Sequence, residues 1–124
     1  MGKKILIVDD EELIAKSLRK LLSKEGYSLS VTKSGQEAID EIKKSDFDLI
    51  ISDIMMSGID GIETIRHIRN YLKESNKKLI PEILITGYAD LEKYNKAVEL
   101  KVADYIYKPF DSADFLHAVK KNIG

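Results

Sequence analysis

Cysteine is absent from this 124-residue chain, and histidine occurs only as His67 and His117. A disulfide scaffold, a thiolate nucleophile and a cysteine-bound metal are therefore excluded, and a histidine-rich metal centre has too few ligands. Charge of one sign is missing as well: 20 Lys and Arg stand against 21 Asp and Glu, for a net charge of −1. That balance gives no electrostatic case for direct nucleic-acid binding. The longest apolar runs, such as Ile5-Leu6-Ile7-Val8, fall far short of the ~18 residues that span a bilayer. Met1-Gly2-Lys3-Lys4 leads straight into one of them with no signal-peptide core. Leu6 stands where an N-myristoylation signal needs Ser or Thr. A cytoplasmic protein without membrane association is expected. What the chain does have is 44% hydrophobic and 33% charged residues, which argues against disorder. Residues 1–124 suit one domain, able to bury roughly two-thirds of its unfolded surface.

Short apolar runs alternate with amphipathic stretches. Lys4–Val8, 48–51 and Glu82–Thr86 are rich in Ile, Leu and Val and read as strands buried on both faces. In 27–31, Tyr27, Leu29 and Val31 alternate with Ser28 and Ser30, as in a half-buried strand. Tyr105-Ile106-Tyr107 is short and amphipathic, and both segments are expected at sheet edges. Residues 11–24 carry Ile14, Leu18, Leu21 and Leu22 on one helical face, with Gly26 placed to end the helix. Ser34 and Glu37 form a capping box for a helix reaching about residue 44. Residues 61–73 align Ile62, Ile65, Ile68 and Leu72. Segments 89–100 and 111–123 complete the set, with Asp90 and Asp111 as N-caps. Five strands alternating with five helices predict an α/β fold. The expected architecture is a parallel sheet in order 2-1-3-4-5 with helices on both faces, doubly wound and flavodoxin-like. Ligands in such a sheet sit beyond the carboxyl ends of the strands, where strands 1 and 3 meet.

Strand 1 ends in Asp9-Asp10, strand 3 in Asp53, strand 4 in Thr86-Gly87 and strand 5 in Lys108-Pro109. Taken singly, each has an ordinary reading. Asp9 or Asp10 can cap the first helix, Asp53 can be a turn residue, Thr86 a plain strand residue and Lys108 a solvated lysine. Their conjunction is different. Packing gives no reason to gather three carboxylates at one edge, where they repel and need a cation. All-oxygen ligands suit Mg²⁺. Lys108 with one positive charge and Mg²⁺ with two balance three carboxylates, and such a site could take a phosphoryl group.

Ile7-Val8-Asp9-Asp10-Glu11, Asp53-Ile54-Met55-Met56 with Asp60-Gly61, Thr86-Gly87 and Asp104-Tyr105-Ile106-Tyr107-Lys108-Pro109-Phe110 together resemble the receiver domain of two-component response regulators. The chemotaxis-type single-domain receiver is the form it is most similar to, and the resemblance covers nearly the whole chain. It implies that Asp53 is the phosphoacceptor, charged by a sensor histidine kinase, a histidine phosphotransfer domain or a small donor such as acetyl phosphate. It implies Mg²⁺ on Asp10, Asp53 and the Met55 carbonyl, with Asp9 acting mainly through a water. Thr86 and Lys108 would contact phosphoryl oxygens, the small Gly87 leaving them room, and the Lys108-Pro109 bond would be cis. Thr86 and Tyr105 would carry the switch to an output face made of 89–100, Tyr105–Tyr107 and 111–123. The implied partners beyond the phosphodonor are a downstream protein target or a fused output domain, with the chain a monomer or a phosphorylation-dependent dimer.

Ser57 departs from the family pattern, which has proline after Met56, and this bears on the rigidity of that loop. Lys101-Val102 replaces the usual glycine before Ala103-Asp104, so a different end is expected for the fourth helix. Met55 and Tyr88 flank the expected site and could shield an acyl phosphate from water. Leu13 or Ile14, beside the acidic pair, is expected to touch the phosphodonor. Three rival readings fit the residues less well. A haloacid-dehalogenase-like phosphatase needs its nucleophile in a D-x-D pattern after strand 1, and a flavin or nucleotide module needs a phosphate loop there. A pseudo-receiver, binding partners without phosphorylation, need not retain the phosphorylation residues present here.

Overall fold

A computed structural model describes residues 2–87 and 90–123. The strands are β1 (Lys4–Val8), β2 (Ser28–Thr32), β3 (Leu49–Asp53), β4 (Glu82–Thr86) and β5 (Asp104–Tyr107). They alternate with α1 (Glu12–Ser23), α2 (Gly35–Lys44), α3 (Gly61–Glu74), α4 (Leu91–Leu100) and α5 (Ser112–Ile123). Every strand pair is parallel, in the order β2-β1-β3-β4-β5. This is the doubly wound, flavodoxin-like architecture expected, with β2 and β5 at the edges.

Strand alternation divides the core into two layers. Ile5, Ile7, Leu49, Ile51, Ile83 and Ile85 meet Leu18 and Leu22 of α1 and Phe115 and Val119 of α5. On the opposite face Leu6, Val8 and Ile50 meet Ile39 and Ile42 of α2 and Ile68 and Leu72 of α3. Ile54, Ile62, Ile65, Leu84 and Ala97 continue that second layer toward α4. Each fully buried Ile or Leu contributes ~1.5–3 kcal/mol, so the sheet holds the site on a stiff base.

Helix starts follow the acids and the serine singled out in the sequence. Ser34 Oγ accepts from Glu37 N at 3.1 Å, while the Glu37 carboxylate reaches back to Lys33 N at 3.3 Å, one residue before the cap. Asp60, Asp90 and Asp111 accept from amides of the first turns of α3, α4 and α5. Helix α1 has no side-chain cap. Asp9 Oδ1 instead accepts from Glu11 N at 2.9 Å, so neither aspartate caps α1 in the usual way.

The edges of elements moved by a residue or two. Strand β2 runs one residue later than 27–31, because Thr32 pairs with Val8 and its hydroxyl donates to Ile7 O at 3.0 Å. Helix α4 begins after Asp90, and residue 89 lies outside the described residues. At its other end Lys101 takes the left-handed conformation, φ 57° and ψ 46°, and donates its N–H to the carbonyls of Ala97 and Val98.

One buried pair was hidden inside an apolar run. Glu82 opens β4 and is buried. Its carboxylate receives Arg69 Nε and Nη2, each at 2.7 Å, and Arg69 Nη1 donates to Leu100 O at the end of α4. A carboxylate in this position requires such a fork, since an unpaired buried charge is strongly destabilising. Helix α4 itself buries only Ala97 and leaves Leu91, Tyr94 and Val98 exposed.

Candidate functional site

The carboxyl ends of β1 and β3 set the acids side by side. Asp9 and Asp53 are buried, Asp10 is exposed, and one carboxylate oxygen of each lies within 4.8 Å of the others. Lys108 follows β5, and its backbone N–H donates to Thr86 O at 2.8 Å, which places it beside the end of β4. Its Nζ lies 3.2 Å from Asp53 Oδ2, 3.7 Å from Asp9 Oδ2 and 3.8 Å from Glu11 Oε1. One ammonium thus serves three carboxylates. Burial pushes the Asp9 carboxyl up to about 6, against the pull of the Glu11 amide and Lys108. Burial likewise raises Asp53, with Lys108 opposing. The cluster is short of positive charge, and the donor set is all oxygen.

The β3–α3 loop is fixed tightly against Asp53. Gly61 N donates to Ile54 O at 2.8 Å. A Cβ on Gly61 would stand 2.2 Å from Asp53 O, so any larger residue there would displace the acid's own backbone. Ser52 Oγ donates to the same Asp53 carbonyl at 2.8 Å.

The remaining expected residues fall as follows. Thr86 is buried at the end of β4. Gly87 is exposed, and a Cβ there would meet open space, so the surrounding described protein does not itself require glycine. The Lys108-Pro109 bond is cis, as expected. Tyr105 is half-buried, its ring edge-on to Tyr94 and Tyr107 with centroids 5.1 and 5.2 Å apart. Its hydroxyl is buried and has no hydrogen-bond partner among the described residues, and burial pushes its pKa up to about 12. The Met55 side chain is exposed, and Tyr88 lies outside the described residues. Leu13 is 80% exposed, whereas Ile14 is half-buried against the core.

Two neighbours of the acids were not foreseen. Glu11 shares Lys108, and Ser57 N donates to Asp10 Oδ2 at 3.2 Å. A proline at 57 has no N–H to give, so the departure from the family pattern supplies a donor. No side-chain signature announces such a bond.

An α/β sheet with an acidic trio and a lysine at its carboxyl edge defines a class, and comparison with known proteins gives the particular one. Residues 5–120 match the response regulator receiver domain family, and the chain belongs to that family of two-component systems. It is 38% identical over 117 residues to the transcriptional regulatory protein ResD of Bacillus subtilis (strain 168), a match covering 94% of this chain and 46% of ResD. The chain thus spans about half the length of that relative. Among solved structures, a CheY-like receiver domain protein of Methanospirillum hungatei JF-1 superposes with a TM-score of 0.90 at 28% identity, covering 99% of this chain and 94% of that one. The BeF3-activated DrrB receiver domain gives 0.84 at 27% identity, covering 99% and 98%. No described helix is long and apolar enough to cross a membrane.

Proposed function

We propose that this chain is a phosphoacceptor, charged on Asp53 by a histidine kinase, a histidine phosphotransfer domain or acetyl phosphate. The observation that carries the reading is the meeting of Asp9, Asp10 and Asp53 with Lys108 at the edge where β1 and β3 adjoin. An Asp53 oxygen attacks the phosphorus, and the P–N bond of a phosphohistidine, or the P–O bond of an acyl phosphate, breaks as the aspartyl phosphate forms. Such transfer depends on positioning and charge stabilisation more than on covalent help. Lys108, 3.2 Å from Asp53, would neutralise a phosphoryl oxygen, and the Thr86 hydroxyl would donate to another.

The oxygen donors and the deficit of positive charge fit Mg²⁺. Asp10, Asp53 and the Met55 carbonyl would hold it, with Asp9 acting through a water and Ser57 N–H orienting Asp10. Bound there, Mg²⁺ would supply screening of the charge on the phosphoryl oxygens.

The new phosphate oxygens would then draw in Thr86, and Tyr105 would pass the change to α4, β5 and α5. Residues 1–124 act as one receiver domain in the cytoplasm, and the output is a protein target or a fused output domain, with no nucleic acid bound by this surface. The chain works as a monomer or as a dimer formed on phosphorylation.

Incubation with acetyl phosphate and Mg²⁺ is expected to add one phosphoryl group by intact mass, and none in Asp53→Asn or with EDTA. A wild-type chain that gains no phosphoryl group and binds no beryllofluoride would make it a phosphorylation-independent binding module instead.

A further inference from the structure

Helix α4 is attached to the rest of the protein unevenly. Apolar packing holds its carboxyl half: Ala97 is buried among Ile54, Ile62, Ile65 and Leu84, and Leu100 packs on the same cluster. Arg69, locked by Glu82, also grips the Leu100 carbonyl. The amino half buries no residue fully: Leu91 is exposed, and Tyr94 is partly exposed with its ring edge-on to Tyr105. Its tie to α3 is an ion pair, Lys93 Nζ with Asp60 Oδ2, both side chains largely buried.

The two partners of that pair differ in freedom. Asp60 is fixed three times over. Its Oδ1 accepts from Glu63 N at 2.9 Å, and its carbonyl accepts from Thr64 N at 2.9 Å and Thr64 Oγ1 at 2.8 Å. It also closes the loop that begins at Asp53. Lys93 sits in the first turn of α4 on a flexible stem. Burial raises the Asp60 carboxyl, but the Lys93 hydrogen bond and the Glu63 amide outweigh it and hold the group below its usual range, so the pair is ionised. Only residues 87–89 separate Thr86 from Asp90, the cap of α4. The Arg69 fork keeps the carboxyl end of α4 in place.

We infer that the Lys93–Asp60 ion pair is a catch that holds the amino end of α4 in its unphosphorylated seat and opposes activation. Helix α4 swings about its Arg69-held end when the catch opens. This rests on the phosphoacceptor reading and adds to it the contact that sets the resting population. A contact shifts a two-state equilibrium only by its difference between the states, so removing the catch should make the active form easier to reach.

The test is calorimetric titration with beryllofluoride and Mg²⁺, run on wild type, Lys93→Met, Lys93→Arg and Lys96→Met. Methionine keeps the apolar stem and removes the charge. Lys93→Met should bind beryllofluoride about fivefold more tightly or better, although its ligand-free form melts earlier. A purely structural role would weaken both. Lys93→Arg should behave as wild type. So should Lys96→Met, whose lysine pairs with Glu92 on the exposed side of α4. Amide exchange in ligand-free Lys93→Met should quicken at residues 91–96 and not at 97–100. Equal or weaker beryllofluoride binding in Lys93→Met, with normal binding in wild type, overturns the catch alone. No binding in wild type overturns the phosphoacceptor reading and the catch with it.

Discussion

At the scale of single residues, the acid cluster carries a charge imbalance that can be read out as stability. Asp9 titrates at about 6 in the fold against an ordinary 3.8, so the folded chain holds that proton more tightly than the unfolded one. The stability this provides is fully present below about pH 4 and is lost as pH rises through 6. Asp53 is displaced in the same direction. Thermal melts of metal-free protein should therefore show wild type losing ground to Asp9→Asn between pH 4 and pH 6.5. Added Mg²⁺ should stabilise wild type above pH 6 and do little at pH 4.5, where protons compete for the ligands. A gap between wild type and Asp9→Asn that does not change with pH would contradict this. The meeting of Asp9, Asp10, Asp53 and Lys108 could be read from the sequence because each ends or follows a strand, and strand ends in a parallel sheet share one edge. Ser57 and Lys93 could not. The first acts through a backbone amide that every residue but proline possesses, and the second through a contact 33 positions away in the chain.

At the scale of elements, local chemistry and long-range pairing divide the work. Ser34, Asp90 and Asp111 announce their helices because a cap is a contact among near neighbours; Asp60, which caps α3 in the same way, was not singled out as a cap. Strand β2 slipped by one residue because its limits are set by pairing with β1, which no local pattern encodes. Glu82 was read as part of an apolar strand. Its partner Arg69 lies on α3, 13 positions earlier in the chain, so nothing nearby signalled a buried charge. The end of α4 offers a direct measurement. Lys101 holds φ at 57°, a conformation that burdens any residue with a Cβ and that glycine adopts freely. Lys101→Gly should stabilise the protein by about 1 kcal/mol in urea unfolding, with no change in the slope of the transition. A loss of stability would mean that the lysine side chain itself is needed there.

At the scale of the whole molecule, one end of the sheet collects the chemistry and the flanking helices offer surfaces to partners. The sequence made the fold class legible through alternation of apolar runs with amphipathic stretches, and it left the partners unnamed because recognition depends on surface shape. One such surface opens from Asp9 along α1, a groove of about 670 Å³ lined by Leu13, Lys16, Arg19, Val31 and Lys33. Leu13 stands out of it into solvent, while Ile14 is engaged with the core, so Leu13 is the better candidate for contact with a protein donor. Leu13→Ala should slow transfer from the cognate kinase by about fivefold or more and leave phosphorylation by acetyl phosphate unchanged. Equal rates from both donors would remove that contact. The fork between Arg69 and Glu82 has a different kind of consequence, one for descent. Replacing either residue alone strands a charge in the interior at a cost of ~3–5 kcal/mol, a large part of the ~5–15 kcal/mol that holds a typical domain together. Replacing both with apolar residues of similar volume is close to neutral. Lineages carrying this pair are therefore confined by it: the two positions change together or not at all, and every single step away passes through a protein that folds poorly.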